Sequence, residues 1–123
     1  MASRLLLPLL LIGLLAAGRA QAAGDIETGK VQFKKCAICH DTEAGKNKLG
    51  PSLAGIVGRK AASAPDFPYS DVMKKFDHTW DEATLDTYIA DPRKTVPATK
   101  MIFPGIKEKK DRDDLIAYLA TLK

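Results

Sequence analysis

The chain contains few cysteines, histidines and aromatic residues, and beyond its first residues it has no segment apolar enough to span a membrane. Two cysteines and two histidines occur among 123 residues, and aromatic residues make up 7%. No basic stripe carries the interleaved aromatic residues that stack on nucleic acid bases, so nucleic acid binding is not expected. No strand-length alternating runs, internal repeats or low-complexity tracts are present. These absences favour one small domain and argue against a thioredoxin-like βαβ fold.

The first 22 residues have the features of a cleaved secretory signal peptide. Arg4 is followed by an apolar stretch over residues 5–17, and Ala20-Gln21-Ala22 has the small-x-small form of a cleavage site. An uncleaved membrane anchor is the alternative, but this stretch is short for a bilayer span, which needs about 20 residues. We therefore expect an exported protein that begins at Ala23 or one residue later, with residues 23–123 forming one domain.

The five residues Cys36-Ala37-Ile38-Cys39-His40 are the most informative segment. Two cysteines separated by two residues and followed by histidine form the attachment site of a c-type haem. Cys36 and Cys39 lie about one helical turn apart and project to the same side, so each can form a thioether bond to one haem vinyl group. A simple Cys36–Cys39 disulfide, a zinc site and a redox-active dithiol are the alternatives.

Helical patterns occur near both ends of residues 23–123. The first helix is expected to begin after Asp25 as N-cap, with Ile26, Gly29, Lys30 and Phe33 on one face. The last is expected to begin near Asp111, with Asp111, Asp113 and Asp114 in its first turn, where carboxylates favour the positive end of the helix dipole. Its inward stripe is expected to contain Leu115, Tyr118, Leu119 and Leu122.

A third main helix is predicted in the middle of the chain. Thr79 as N-cap and Glu82 three residues later form a capping box, and Pro92 is expected to end the helix. A shorter helix is expected from Ser70 through Met73. Residues 41–69 and 93–108 have the composition of loops, and such long loops rarely occur in a compact domain. A haem would provide the apolar body around which they pack, so we expect an all-α fold of three main helices and long loops around one haem.

Residues 96–107 read Val-Pro-Ala-Thr-Lys-Met-Ile-Phe-Pro-Gly-Ile-Lys. With the haem motif, Gly50-Pro51-Ser52-Leu53, Thr79-Trp80 and the segment 113–119, this loop closely resembles the class I c-type cytochromes, which include mitochondrial cytochrome c and bacterial cytochromes c2. The resemblance extends over nearly all of residues 23–123 and implies the cytochrome c fold with one haem c, covalently attached through Cys36 and Cys39.

The resemblance also assigns roles to individual residues. His40 and Met101 correspond to the two axial iron ligands, and the Pro51 carbonyl to the acceptor of a hydrogen bond from the His40 ring. Tyr88 corresponds to a tyrosine near the methionine sulfur, and Phe103 to the aromatic residue that covers the haem near its exposed edge. Four residues correspond to positions around the haem propionates: Arg59, Tyr69, Trp80 and Thr99. Four others correspond to residues that pack the first helix against the last: Gly29, Phe33, Leu115 and Tyr118.

Two positions depart from the family pattern. Met73 stands where the family often has an asparagine in a polar network near the inner propionate. Asn47 stands where mitochondrial relatives have a histidine that ties two loops together, so this tie is either absent or remade. His78 lies in a polar stretch and is expected to be an exposed surface histidine.

These features predict a soluble, monomeric electron carrier of the bacterial periplasm, not an enzyme. Expected partners are redox proteins with acidic docking surfaces: a bc1 complex, a terminal oxidase, a photosynthetic reaction centre or a periplasmic dehydrogenase. They would dock on a ring of basic side chains at the haem edge, comprising Lys35, Lys48, Arg93, Lys94, Lys100, Lys107 and Lys109. A small haem peroxidase or ligand sensor with a labile axial site is the alternative from another class, and thiol–disulfide exchange is a third.

Overall fold

The computed structural model describes residues 24–123, and the predicted signal peptide lies outside these residues. Five α-helices are described: α1 (Ile26–Gln32), α2 (Asp71–Lys75), α3 (Glu82–Ala90), α4 (Pro92–Thr95) and α5 (Lys109–Leu119). A short 3-10 helix, Phe33–Lys35, extends α1 towards the haem motif. Within residues 24–123, no helix combines the length and the apolarity needed to cross a bilayer.

The crossing of α1 and α5 brings the two ends of the described chain together. Asp25 caps α1 as predicted, because its side chain accepts a hydrogen bond from the Thr28 amide at 2.7 Å. Gly29 lies directly against α5, where an added Cβ would overlap the Asp114 carbonyl. The rings of Phe33 and Tyr118 pack beside this point, with centroids 5.2 Å apart. The predicted packing of these residues is confirmed, although Ile26, expected on the same face, is 46% exposed.

The start of α3 differs from the prediction. Asp81, and not Thr79, is the N-cap, and its side chain accepts a hydrogen bond from the Thr84 amide at 2.7 Å. Thr79 instead forms an antiparallel β-bridge with Lys60. The predicted capping box was therefore wrong, because a backbone pairing between distant segments holds residue 79 in extended conformation.

The end of α3 before Pro92 agrees with the prediction, whereas the beginning of α5 does not. α3 ends at Ala90, and Pro92 then begins the separate helix α4, a position where proline loses no helical hydrogen bond. α5 begins at Lys109, so Asp111 lies in its first turn but Asp113 and Asp114 lie beyond it. The short helix expected from Ser70 through Met73 is present with shifted bounds, as α2, and Ser70 is its N-cap, because its hydroxyl accepts a hydrogen bond from the Met73 amide.

Asn47 ties two of the long loops together. Its side-chain Nδ2 donates to the Pro65 carbonyl at 2.9 Å, and its Oδ1 accepts from the Ser52 amide at 3.0 Å. The tie left open by the sequence is thus present, with an amide in place of the titratable imidazole of the mitochondrial relatives. The loop 41–52 is held against the loop 60–69 in a manner that does not depend on a protonation step at this residue.

Candidate haem site

A cavity of about 560 Å³ lies between the helices and the loops. It is lined by apolar side chains from α3 and α5, among them Leu85, Ile89, Leu115 and Leu119. All eleven residues proposed from the sequence for haem attachment, iron ligation and haem contacts line the same cavity: Cys36, Cys39, His40, Pro51, Arg59, Tyr69, Trp80, Tyr88, Thr99, Met101 and Phe103. The fold therefore brings together residues that are up to 67 positions apart in the sequence.

His40 is held by a hydrogen bond between its Nδ1 and the Pro51 carbonyl, at 2.7 Å. Since the carbonyl can only accept, Nδ1 carries the proton and Nε2 keeps its lone pair. Burial lowers the pKa of His40, although the bond to Pro51 opposes this shift. The ring is therefore held as a neutral imidazole, which is the form that binds a metal. This bond also fixes the ring orientation and raises its basicity as a ligand.

Gly50 makes room for the His40 ring. An added Cβ on Gly50 would collide with the ring at Cε1, and the Gly50 amide donates to the Cys39 carbonyl at 2.8 Å. In the sequence, Gly50 is part of the motif Gly50-Pro51-Ser52-Leu53, and the resemblance implied no role for it. Its position directly before Pro51 was the available indication, because the backbone of this pair must approach the histidine closely.

Arg59 has the arrangement expected of a partner for a buried anion. Its two terminal nitrogens donate to the carbonyls of Ala54 and Ser52 at 2.8 and 2.9 Å. Its Nε is buried and has no hydrogen-bond partner among residues 24–123. Burial lowers the pKa of Arg59, which reflects the unfavourable desolvation of its charge. A haem propionate carboxylate would supply both the missing acceptor and the compensating negative charge, so these residues fit the cofactor.

Tyr88 and Thr99 are joined directly on the side of the cavity that contains Met101. The Tyr88 hydroxyl and Thr99 Oγ1 are 3.0 Å apart, and Thr99 Oγ1 also accepts from the Met101 amide at 3.3 Å. Burial raises the pKa of Tyr88, although the bond to Thr99 opposes this shift, so Tyr88 stays a neutral hydroxyl. Met73 lines the same cavity.

The remaining predicted residues have simpler surroundings. The Tyr69 hydroxyl accepts from the Ala64 amide at 3.0 Å, and Trp80 packs on Tyr88 with ring centroids 5.0 Å apart. Phe103 lines the cavity at the exposed edge, beside Ile102, which is 91% exposed. His78 is exposed as predicted and stacks on Phe76.

Cys36 does not have the character of a redox-active thiol. Burial raises the pKa of the Cys36 thiol to about 11. Thiol–disulfide exchange needs a thiolate near neutral pH, and its active cysteines accordingly have lowered pKa values. The raised pKa of the partly buried Cys36 thiol therefore argues against thiol–disulfide exchange.

The chain is similar in sequence to known proteins that have such a site. A sequence profile of the cytochrome c family matches residues 26–123. The chain belongs to the cytochrome c family. It is 53% identical over 97 residues to a cytochrome c2 from Rhodoplanes tepidamans, a match that covers 78% of this chain and 91% of that protein. It is 48% identical over 100 residues to cytochrome c of Gibberella zeae, covering 80% and 94% of the two chains.

A solved structure has the same fold. Cytochrome cH from Methylobacterium extorquens superposes with a TM-score of 0.75 at 48% sequence identity, covering 80% of this chain and 99% of that chain. These similarities confirm the predicted all-α cytochrome c fold and the covalently bound haem c, for which Cys36 and Cys39 have the required spacing. The chain is accordingly an electron-transfer cytochrome of class I.

Proposed function

We propose that this cytochrome is a periplasmic carrier of single electrons whose haem iron is ligated by His40 and Met101. The observation that carries the proposal is the convergence of both residues and both haem-attaching cysteines on one apolar cavity. The haem supplies an iron that accepts and releases one electron. His40 and Met101 would together hold the iron through two protein side chains and would leave it no site for a substrate, so the protein would act as a carrier and not as an enzyme.

The protein contributes the ligands and their surroundings. His40 offers Nε2 because its other nitrogen is bound to Pro51, and Met101 offers a thioether sulfur. Ligation by histidine and methionine raises the reduction potential of a c-type haem. The apolar cavity wall acts in the same direction, since a surrounding of low polarity disfavours the more highly charged oxidised form.

The partner surface is proposed to be the mouth of the cavity. Lys48 and Lys100 line the cavity, and both are exposed. Beside them lie Leu49 and Ile102, which are 83% and 91% exposed. A basic rim around apolar contacts fits a redox protein with an acidic docking surface, such as a bc1 complex, an oxidase, a reaction centre or a periplasmic dehydrogenase.

Replacement of Met101 by alanine tests the ligand assignment. The purified Met101→Ala protein should keep its covalent haem but lose the sulfur-to-iron charge-transfer band of the oxidised form. Its potential should fall by an amount on the order of 0.1 V, because axial ligands set haem potentials over a wide range. Absorption spectroscopy and redox titration provide both measurements.

Met73→Ala is the matched control, since Met73 also lines the cavity. It should keep the band. Loss of the band in Met73→Ala but not in Met101→Ala would overturn the assignment. High-spin features and no sulfur band in the unaltered protein at neutral pH would instead support a peroxidase or ligand sensor.

A further inference from the structure

The loop that carries Met101 is anchored at both ends by buried residues. We define the ligand loop as residues 97–105. Before it, Val96 is 3% exposed and its amide donates to the Pro92 carbonyl at 2.9 Å. After it, Ile106 is 5% exposed and its amide donates to the Ile89 carbonyl at 2.9 Å. The conformation of the loop between these anchors therefore decides where the Met101 side chain lies.

The ligand loop begins with a tight turn that has an unfavourable residue. The Thr99 amide donates to the Val96 carbonyl at 3.0 Å, which closes a four-residue β-turn. Pro97 occupies its second position and Ala98, with a φ of +65°, its third. Proline excludes a positive φ at the second position, so this is a type II turn. Its third position favours glycine, because a side chain is strained at positive φ.

The strained turn is coupled to Met101 through Thr99. Thr99 directly follows Ala98, and its Oγ1 makes the hydrogen bonds to the Tyr88 hydroxyl and to the Met101 amide. Opening the turn moves Thr99 and so removes both bonds. We propose that Ala98 is a positioning residue whose strained turn, acting through Thr99, sets how readily Met101 leaves its place in the cavity. This inference rests on the proposed role of Met101 as axial ligand.

Ala98 can be changed without disturbing packing, and the chain provides a matched control. Ala98 is exposed, so replacing it with glycine removes no buried contact. Ala62 has nearly the same backbone conformation, with a φ of +57°, but it lies in a different loop and does not line the cavity. Glycine at either position relieves the same kind of strain. Only the change at position 98 should act on the ligand loop.

The experiment compares Ala98→Gly with Ala62→Gly in the oxidised protein containing its haem. Hydrogen exchange of the Thr99 amide reports opening of the turn, and the affinity for added imidazole reports displacement of Met101 from the iron. In Ala98→Gly, Thr99 exchange should slow and imidazole affinity should fall, both by about threefold, or about 0.7 kcal/mol. The relieved strain exceeds the additional freedom that glycine has in the open loop. Ala62→Gly should change neither quantity.

A second pair of variants tests the opposite direction. A β-branched residue is more strongly disfavoured at positive φ than alanine. Ala98→Val should therefore speed Thr99 exchange and raise imidazole affinity, whereas Ala62→Val should leave both unchanged. If Ala98→Gly alters either quantity no more than Ala62→Gly does, the inference fails. Failure of the ligand assignment is distinguishable, because Met101→Ala would then bind imidazole no more tightly than the unaltered protein.

Discussion

Asp114 is a carboxylate with 1% exposure that holds the beginning of α1 against α5. Its Oδ1 accepts from the Asp25 amide at 2.7 Å, and Lys110 Nζ lies within 2.8 Å of both of its oxygens. The hydrogen bond from Lys110 and that from the Asp25 amide lower the pKa of Asp114. A single residue therefore links two helices and makes the link dependent on its ionisation.

The stability of the protein should depend on pH through Asp114. Because the pKa of Asp114 is lower in the folded state, the unfolded state binds more protons near the usual aspartate pKa of about 3.9. The contribution of Asp114 is present above that pH and is lost as pH falls through the folded-state pKa. Denaturant titrations should be made between about pH 6 and about pH 3, a range from about two units above to about one below the usual aspartate pKa. Over this range the free energy of unfolding should fall less steeply in Asp114→Asn than in the unaltered protein.

Lys110→Met is the companion variant for this measurement. It removes one cause of the lowered pKa but leaves the Asp25 amide, so its pH dependence should lie between those of the other two proteins. An Asp114→Asn protein with the same pH dependence as the unaltered chain would show that another group is responsible.

At Gly29, where α1 crosses α5, helix propensity and packing have opposite effects on an alanine substitution. Glycine inside a helix destabilises it by about 0.5–1 kcal/mol relative to alanine, so helix propensity alone favours Gly29→Ala. At this crossing, however, an added Cβ would overlap the Asp114 carbonyl and approach the Tyr118 side chain at 2.8 Å. The backbone of α5 cannot shift without a cost in free energy, so the unfavourable overlap should outweigh the gain in helix propensity.

Gly29→Ala is expected to lower the free energy of unfolding by about 2 kcal/mol, because overpacking a close contact typically costs 1–3 kcal/mol. Chemical denaturation of the haem-containing protein provides the measurement. Lys30→Ala, on an exposed position of the same helix, serves as control and should change stability by less than about 0.5 kcal/mol. If Gly29→Ala is as stable as the unaltered protein, or more stable, the two helices accommodate the added methyl group without losing stability, and the prediction is wrong.

Across the whole molecule, the net charge is small, but basic side chains lie at the cavity. The full chain has a formal net charge of +4, and without residues 1–22 this falls to +2. Lys48 and Lys100 are exposed and line the cavity, whereas the exposed lysine Lys60 pairs with Asp77 away from the cavity lining, at 3.3 Å. Basic charge that forms no ion pair within residues 24–123, at the proposed docking surface, can orient an acidic partner even when net charge is small.

Electron transfer to an acidic partner should slow as ionic strength rises, because charges are screened over about 10 Å at 0.1 M salt. At low salt, Lys48→Glu should reduce the bimolecular rate by about tenfold, within the range over which steering changes association rates. Stopped-flow kinetics against salt concentration provide the measurement. Lys75→Glu, an exposed charge reversal away from the cavity lining, should have a smaller effect. Equal effects of the two reversals would contradict docking at the cavity mouth.

The amino-acid sequence alone indicated the cofactor, because the spacing of Cys36, Cys39 and His40 is a chemical requirement of haem attachment. The family, and with it the other proposed haem contacts, came from the resemblance of several motifs to class I c-type cytochromes. The sequence also predicted the N-cap at Asp25, which depends on a hydrogen bond within three residues. Tertiary structure decided the N-cap of α3, the loop tie of Asn47 and the burial of the Arg59 Nε without a hydrogen-bond partner among the described residues. Each of these depends on contacts between segments far apart in the chain, and only folding brings such segments within hydrogen-bond distance.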